Sequence, residues 1–329
     1  MRTKGTPVMR WVPLGLLLFA VPVAAQGTGA PTGGPLIPQS SILTPSYTPH
    51  RVYDTRKKQF VDFESLAARL AAADLVFIGE QHDDPATHRM ELAVLEGIGR
   101  RRDSVVVALE MFERDVQPLL DRYLSGAATE EELLRESRPW KNYPTDYRPM
   151  VELAKSRGWP VVASNVPRSL ASLVAHSGLA GLDTVSASTR AEVAEAITCP
   201  EDDYFRKFAD AMGEMAGHGP QPGAAADPHA RMKRMYEAQC IKDETMGESV
   251  ALAWRPGRLV VHYNGSFHSD FRLGTAARAM QRSSGATLLV VTAMPVPDLD
   301  SLKPSKEDRK RADYLLYVLA PPKAHHAAP

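Results

Sequence analysis

Two hydrophobic patterns alternate along this chain. Continuous apolar runs such as Leu75-Val76-Phe77-Ile78, Val105-Val106-Val107-Ala108-Leu109 and Leu259-Val260-Val261 have the character of strands covered on both faces. Helical patterns separate them. Asp84 offers an N-cap and Pro85 a first helical residue for a helix through about Gly99. Further helical segments follow around Val116 to Leu124, Glu130 to Glu136 and Met150 to Ser156, and the strand Pro160 to Ala163 ends at Ser164-Asn165. A long helical region from about Ser188 to Ala253 breaks near His218 to Asp227, where Gly, Pro and Ala collect. Beyond the third apolar run come a helix through about Gln281 and two strand-like stretches, Thr287 to Thr292 and Tyr314 to Leu319. Strands separated by helices predict an α/β fold: a mostly parallel central sheet flanked by helices, with the region 188–253 as an inserted helical lobe.

The strand ends carry the chemistry. One apolar run leads into Gly79-Glu80-Gln81-His82 and another into Gly265-Ser266-Phe267-His268, so a glycine precedes a histidine by three residues twice. Open parallel sheets gather ligands at the carboxyl ends of their strands. Reading only those ends collects Glu80 with His82, Glu110, Asn165, and Asn264 with His268. His82, Glu110 and His268 make a donor set for zinc, manganese, iron or cobalt rather than calcium. Glu110 directly follows five apolar strand residues, a costly place for an acid without a partner. The glycines are expected to supply positive φ where the backbone turns off each strand. His88 lies on the apolar face of its helix, in line with Leu92 and Leu95, as a core histidine or one that supports a metal ligand from behind. Asn165 and Asn264 are expected in that supporting role too. His176, His229 and His262 need no special role. The segment Trp140 to Pro149 is an aromatic, polar loop of the kind that lines pockets. Met212, Met215, Met232, Met235 and Met246 are spaced for the inner seam of a helical hairpin.

Composition narrows the setting. Of 329 residues, 44% are apolar and 24% charged, and 39 Lys and Arg balance 39 Asp and Glu, which excludes a polyanionic partner such as nucleic acid. The basic residues Arg2, Lys4 and Arg10 precede the apolar run Trp11 to Val23 and a small-residue exit, so residues 1–25 read as a cleavable signal peptide. Residues 26–50 are rich in Gly, Pro, Ser and Thr and read as a disordered linker, residues 51–320 as the α/β domain, and 321–329 as a disordered tail. The mature protein is then expected to be exported, periplasmic or secreted, with no membrane attachment after cleavage. In an oxidising compartment Cys199 and Cys240 either pair or stay as two buried thiols.

Several blocks together resemble the ChaN family, haem-binding proteins within the Tiki/TraB and erythromycin-esterase-like superfamily. They are Gly79 to His82 with His88, Ala108 to Phe112, Trp140 to Pro149, Ala163 to Arg168, Lys242 to Met246, and Val261 to Arg278. The resemblance implies haem as cofactor and partner, bound at a homodimer interface, with a role in iron uptake and a tyrosine as iron ligand. Tyr143, Tyr147, Tyr204, Tyr236 and Tyr263 all remain open for that role. In the wider superfamily the paired Gly-x-x-His motifs look like the metal site of hydrolases, which maps onto His82, His268 and Glu110. An enzyme of that kind would use a divalent metal with Glu80 or Glu110 as general base. ChaN-type proteins are often lipoproteins, and this chain has no cysteine near its first apolar run to accept the lipid.

Overall fold

Eight strands form one sheet: β1 (His50–Asp54), β2 (Gln59–Val61), β3 (Leu75–Glu80), β4 (Val105–Glu113), β5 (Val161–Asn165), β6 (Leu259–Gly265), β7 (Leu288–Val296) and β8 (Tyr314–Leu319). The computed structural model describes residues 47–215 and 227–320. The expected signal peptide, most of the linker, the helical break and the tail fall outside them. The spatial order is β2-β1-β8-β7-β3-β6-β4-β5. From β8 to β5 every neighbouring pair is parallel. The antiparallel edge β1-β2 is an addition to the expected sheet. It begins at His50, the last residue of the expected linker.

The helices are α1 (Phe63–Ala71), α2 (Pro85–Gly99), α3 (Gln117–Leu124), α4 (Glu130–Glu136), α5 (Tyr143–Asp146), α6 (Arg148–Arg157), α7 (Arg168–Ser177), α8 (Ala187–Arg190), α9 (Asp203–Met215), α10 (Pro228–Ala253), α11 (Gly274–Arg282) and α12 (Asp308–Arg311). Local chemistry sets their ends. The Asp84 carboxylate accepts from the Thr87 N–H at the start of α2, and Pro85 follows it in the first turn. Gly158, with φ of 65°, closes α6 in the left-handed region that glycine enters without steric cost.

The continuous apolar runs are explained by cover on both faces. Val76, Ile78, Val107, Leu109 and Val261 share a core with Leu70, Met90, Val94, Leu95 and Ile98. Alternate residues Phe77, Val106, Ala108, Val260 and Val290 pack with Val250, Ala276 and Ala279 on the other side. Each strand therefore buries both of its side-chain rows, as a period of two requires. In the lobe, Met212, Met232 and Met235 pack around Tyr204, Phe208 and Tyr236, which agrees with the expected seam, and Met246 is buried. Cys199 and Cys240 form a disulfide with Cα atoms 5.8 Å apart, so of the two alternatives they pair.

The order of the inner strands determines the site. β3, β6, β4 and β5 are consecutive neighbours, so their carboxyl ends place Glu80, Asn264, Glu110 and Asn165 along one rim.

Candidate functional site

The two Gly-x-x-His turns interlock across the β3–β6 boundary. A Cβ on Gly79 would lie 2.8 Å from Cα of Ser266, and one on Gly265 would lie 2.6 Å from Nε2 of His82. Each glycine thus makes room for the other motif. Neither has a positive φ, so the expected reason for glycine is corrected: close approach, not a left-handed turn, requires it here.

His82 stands at the mouth of this rim with its side chain 40% exposed. Its Nδ1 donates to Glu80 Oε1 at 2.6 Å, which leaves Nε2 as the free nitrogen. The Trp140 ring lies edge-on to the imidazole at 4.8 Å, and Asn142 Nδ2 donates to the His82 carbonyl at 2.9 Å. The loop 140–149, expected to line a pocket, does flank the site, and its second half is helical as α5 and the start of α6. Burial disfavours the His82 imidazolium, but the Glu80 hydrogen bond and the Glu110 charge outweigh it and raise the pKa.

Behind Gly265 lies an ion-pair chain. Glu110 Oε2 accepts the Gly265 N–H at 2.8 Å, and its Oε1 lies 3.4 Å from His268 Nε2. His268 Nδ1 donates to Asp243 Oδ1 at 2.7 Å. Asp243 also accepts from Thr275 Oγ1 at 2.8 Å and from the Tyr204 hydroxyl at 2.7 Å. Burial opposes charge on His268, yet Glu110 and Asp243 overcome it and push the imidazole up to about 10. Burial likewise opposes ionisation of Glu110, but His268, His82 and the Gly265 N–H hold it well below the usual carboxylate range. As placed, both His268 nitrogens face carboxylates. Asp243, on α10, lies in the family-like block Lys242 to Met246 but is not among the expected site residues; that block was its signal, and Asp243, Glu244 and Thr245 are all buried in mid-helix.

The polar residues expected to support the site do so unevenly. Asn165 Nδ2 donates to the Glu110 carbonyl at 3.1 Å, and its Oδ1 accepts the Val166 N–H. Asn264 bridges Ser269 Oγ and His262 Nδ1 within the turn that carries His268. His262 is a neutral core histidine as expected: burial lowers its pKa to about 4, and Ser164 Oγ lies 3.1 Å from its Nε2.

Deeper still is a second histidine–carboxylate group. His88 lies fully inside α2, with Nδ1 2.9 Å from Glu91 Oε2 and 3.5 Å from Glu80 Oε2. Its Nε2 contacts the His82 carbonyl at 3.0 Å and lies 3.5 Å from Asp146 Oδ2. The Tyr147 hydroxyl donates to Glu80 Oε1 at 2.7 Å. Burial, with Glu80 and Asp146 close by, raises the Glu91 pKa well above its ordinary value. Among the described residues, Glu80, His88 and Glu91 are the group of three whose ligand atoms all lie within 4.8 Å of one another. Glu91 and Asp146 were not singled out in the sequence; the i, i+3 pairing of His88 with Glu91 on one helix face is the signal that would have found Glu91.

The five candidate haem tyrosines are all buried to 1% exposure or less. Tyr147 serves Glu80, Tyr204 serves Asp243, Tyr236 donates to the Pro200 carbonyl, Tyr263 reaches the Glu91 carbonyl, and Tyr143 packs on Phe112. None presents its oxygen at a surface.

The model of a family described as "Haem-binding uptake, Tiki superfamily, ChaN" matches residues 66–279. No curated protein matches by sequence. A solved structure of ChaN of Campylobacter jejuni with cofacially bound heme is similar at 17% identity, covering 82% of this chain and 96% of that one with a TM-score of 0.61. It supports the fold, an eight-stranded, mostly parallel α/β sheet with flanking helices. RRSP, a MARTX toxin effector domain from Vibrio vulnificus, is 18% identical over 63% of this chain and 30% of that one, with a TM-score of 0.34. That second likeness is too loose to bear on the fold.

Proposed function

The chain belongs to the ChaN family of haem-binding uptake proteins in the Tiki superfamily, and from that membership we propose that it is an exported protein that binds haem for iron uptake. The observation that carries the reading is His82. Haem iron accepts imidazole or phenolate donors, and a carboxylate behind a ligating histidine fixes its tautomer and orientation. His82 meets those demands: its side chain is 40% exposed beside Trp140, its Nδ1 is held by Glu80, and its Nε2, which lies against Gly265, has no hydrogen-bond partner among the described residues. The five tyrosines named above do not fit a ligand for haem docked at a surface, because each is buried. Bound there, haem would supply the iron cargo, and this chain would supply the ligand and its orientation. Export is supported by the signal-like segment 1–25 and by the Cys199–Cys240 disulfide, a bond that oxidising compartments favour. Among the described residues no helix is long and apolar enough to cross a membrane.

Hemin titration tests the reading. Wild-type protein gives a saturable Soret shift at micromolar hemin, and His82→Ala loses it while keeping the native circular dichroism spectrum. A wild type without a shift sinks the haem reading; a shift unchanged in His82→Ala moves the ligand elsewhere. Size-exclusion with and without hemin tests the homodimer that the family resemblance implies.

One observation supports a hydrolytic use of the same rim. Glu110 stays a carboxylate between His82 and His268 at the strand ends, the acidic member of the donor set that a metal-dependent hydrolase would use. If the rim hydrolyses esters or peptide bonds, Glu110→Gln abolishes turnover of a model ester by about 10²-fold or more. Wild-type turnover no faster than the buffer rate would dispose of this second reading.

A further inference from the structure

The buried cluster beneath the rim leaves two carboxylate oxygens without a partner among the described residues. The His82 carbonyl can only accept a hydrogen bond, so the contact at 3.0 Å assigns the His88 proton to Nε2. Nδ1 lies 2.9 Å from Glu91 Oε2, a contact closed by one proton shared between the two groups, and 3.5 Å from Glu80 Oε2. A cation that displaces this proton would meet three lone-pair donors at one spot. Glu80 Oε2 and Glu91 Oε1 are fully buried and have no hydrogen-bond partner among the described residues. In the same set of residues, the ion pairs of Glu80, Glu91 and Asp146 are with histidine alone, and no Lys or Arg reaches them. A buried carboxylate oxygen without a hydrogen bond or a cation is costly.

The arrangement has the form of a metal site. Two ligands about 2.1 Å from a transition metal, at angles near 90–110°, lie about 3.0–3.5 Å apart. The two Nδ1–oxygen separations bracket that range. Behind the imidazole, the His82 carbonyl and Asp146 on the Nε2 side form the kind of outer support that orients a metal-binding histidine. The spare oxygen Glu91 Oε1 allows that carboxylate to bind through both atoms.

We propose that Glu80, His88 and Glu91 form a buried site for one divalent transition-metal ion of the zinc, manganese or iron(II) class. A nitrogen and two carboxylates favour these ions over calcium, which takes six to eight oxygens. The ion would make the Glu80–His88–Glu91 group neutral in sum when His88 is uncharged. Because Glu80 Oε1 also holds His82, the site lies directly behind the rim and would fix the orientation of its exposed imidazole. The inference does not depend on haem binding.

Cation content decides it. Full-length protein is stripped with a chelator, incubated with micromolar Zn(II), Mn(II) or anaerobic Fe(II), gel-filtered and analysed for metal. Wild type retains about one equivalent of at least one ion, and His82→Ala retains the same amount. Glu91→Gln and His88→Gln bind that ion about tenfold or more weakly. Glu91→Gln is close to isosteric and is scored only with a native circular dichroism spectrum, so a misfolded His88→Gln does not leave the question open. A wild type that retains none of the three ions overturns the site. So does a folded Glu91→Gln that binds as the wild type does, and so does a loss in His82→Ala equal to that in Glu91→Gln, which would place the ion at the rim instead. Because His82→Ala is the variant that removes haem, failure of the haem reading and failure of this one are separate outcomes.

Discussion

Among the described residues are two buried histidine–carboxylate groups, around His268 and around His88, and they meet the same problem in opposite ways. Around His268, two carboxylates bracket one charged imidazole, and the spare acceptor positions are filled by Gly265, Thr275 and Tyr204. Around His88, three carboxylates surround one imidazole, and two of their oxygens have no partner among the described residues. The same residue types therefore give a closed electrostatic unit in one place and an unfilled donor set in the other. What separates them is two oxygens, Glu80 Oε2 and Glu91 Oε1, that find no donor among the described residues.

The largest test of that contrast is to open the closed unit. His268→Gln leaves Glu110 and Asp243 buried without their shared cation, and breaking one partner of a buried ion pair costs about 3–5 kcal/mol. Urea denaturation should show that loss as a lower midpoint with an unchanged slope. A change under about 1 kcal/mol would mean that water reaches the pair and that the unit is not closed.

Acidity and alkalinity probe the same unit without a mutation. His268 has its pKa raised from 6.5 to about 10, so its contribution is complete below pH 6.5 and fades as pH climbs through about 10. Glu110 is shifted the other way, so its contribution is present above its ordinary 4.5 and fades only as pH falls through a folded value well below the usual carboxylate range. The pair therefore stabilises most between about pH 4.5 and 6.5. Thermal melts of wild type and His268→Gln should differ most in that window and converge toward pH 10 and above. A difference that grows with pH would reverse the sign and reject the assignment.

How much of this was legible beforehand follows from where each residue sits. Apolar runs identify strand ends directly, so Glu80, His82, Glu110, Asn165, Asn264 and His268 could be gathered to one rim before any coordinates. The reason for Gly79 and Gly265 was not legible, because the contact of each is with the other motif, 186 positions away by number. Glu91, Asp146 and Asp243 were hidden for a different reason. They lie on helices, where burial depends on which face turns toward the sheet, and the sequence pattern of α10 is nearly as polar on its buried side as on its exposed one. The edge strands β1 and β2 escaped because their residues are mostly half-polar, and an antiparallel edge needs no apolar run. The burial of the tyrosines was not legible either: a phenol reads the same in sequence whether it ends at a surface or on a buried carboxylate.

The smallest expected effect is the most discriminating. In chelated protein, with no cation at His88, burial and the nearby Glu80 favour a protonated Glu91, and Glu91→Gln replaces that neutral acid by a neutral amide of the same shape. Stability should then change by less than about 1 kcal/mol, against several for His268→Gln. With the cation restored, wild type should melt higher and Glu91→Gln should not follow, since a ligand that binds only the folded state stabilises it by mass action. The two clusters would then differ as their geometry says: one complete within the chain, the other completed from outside. If Glu91→Gln in chelator costs as much as His268→Gln, Glu91 is already ionised and paired, and the contrast between the two groups disappears.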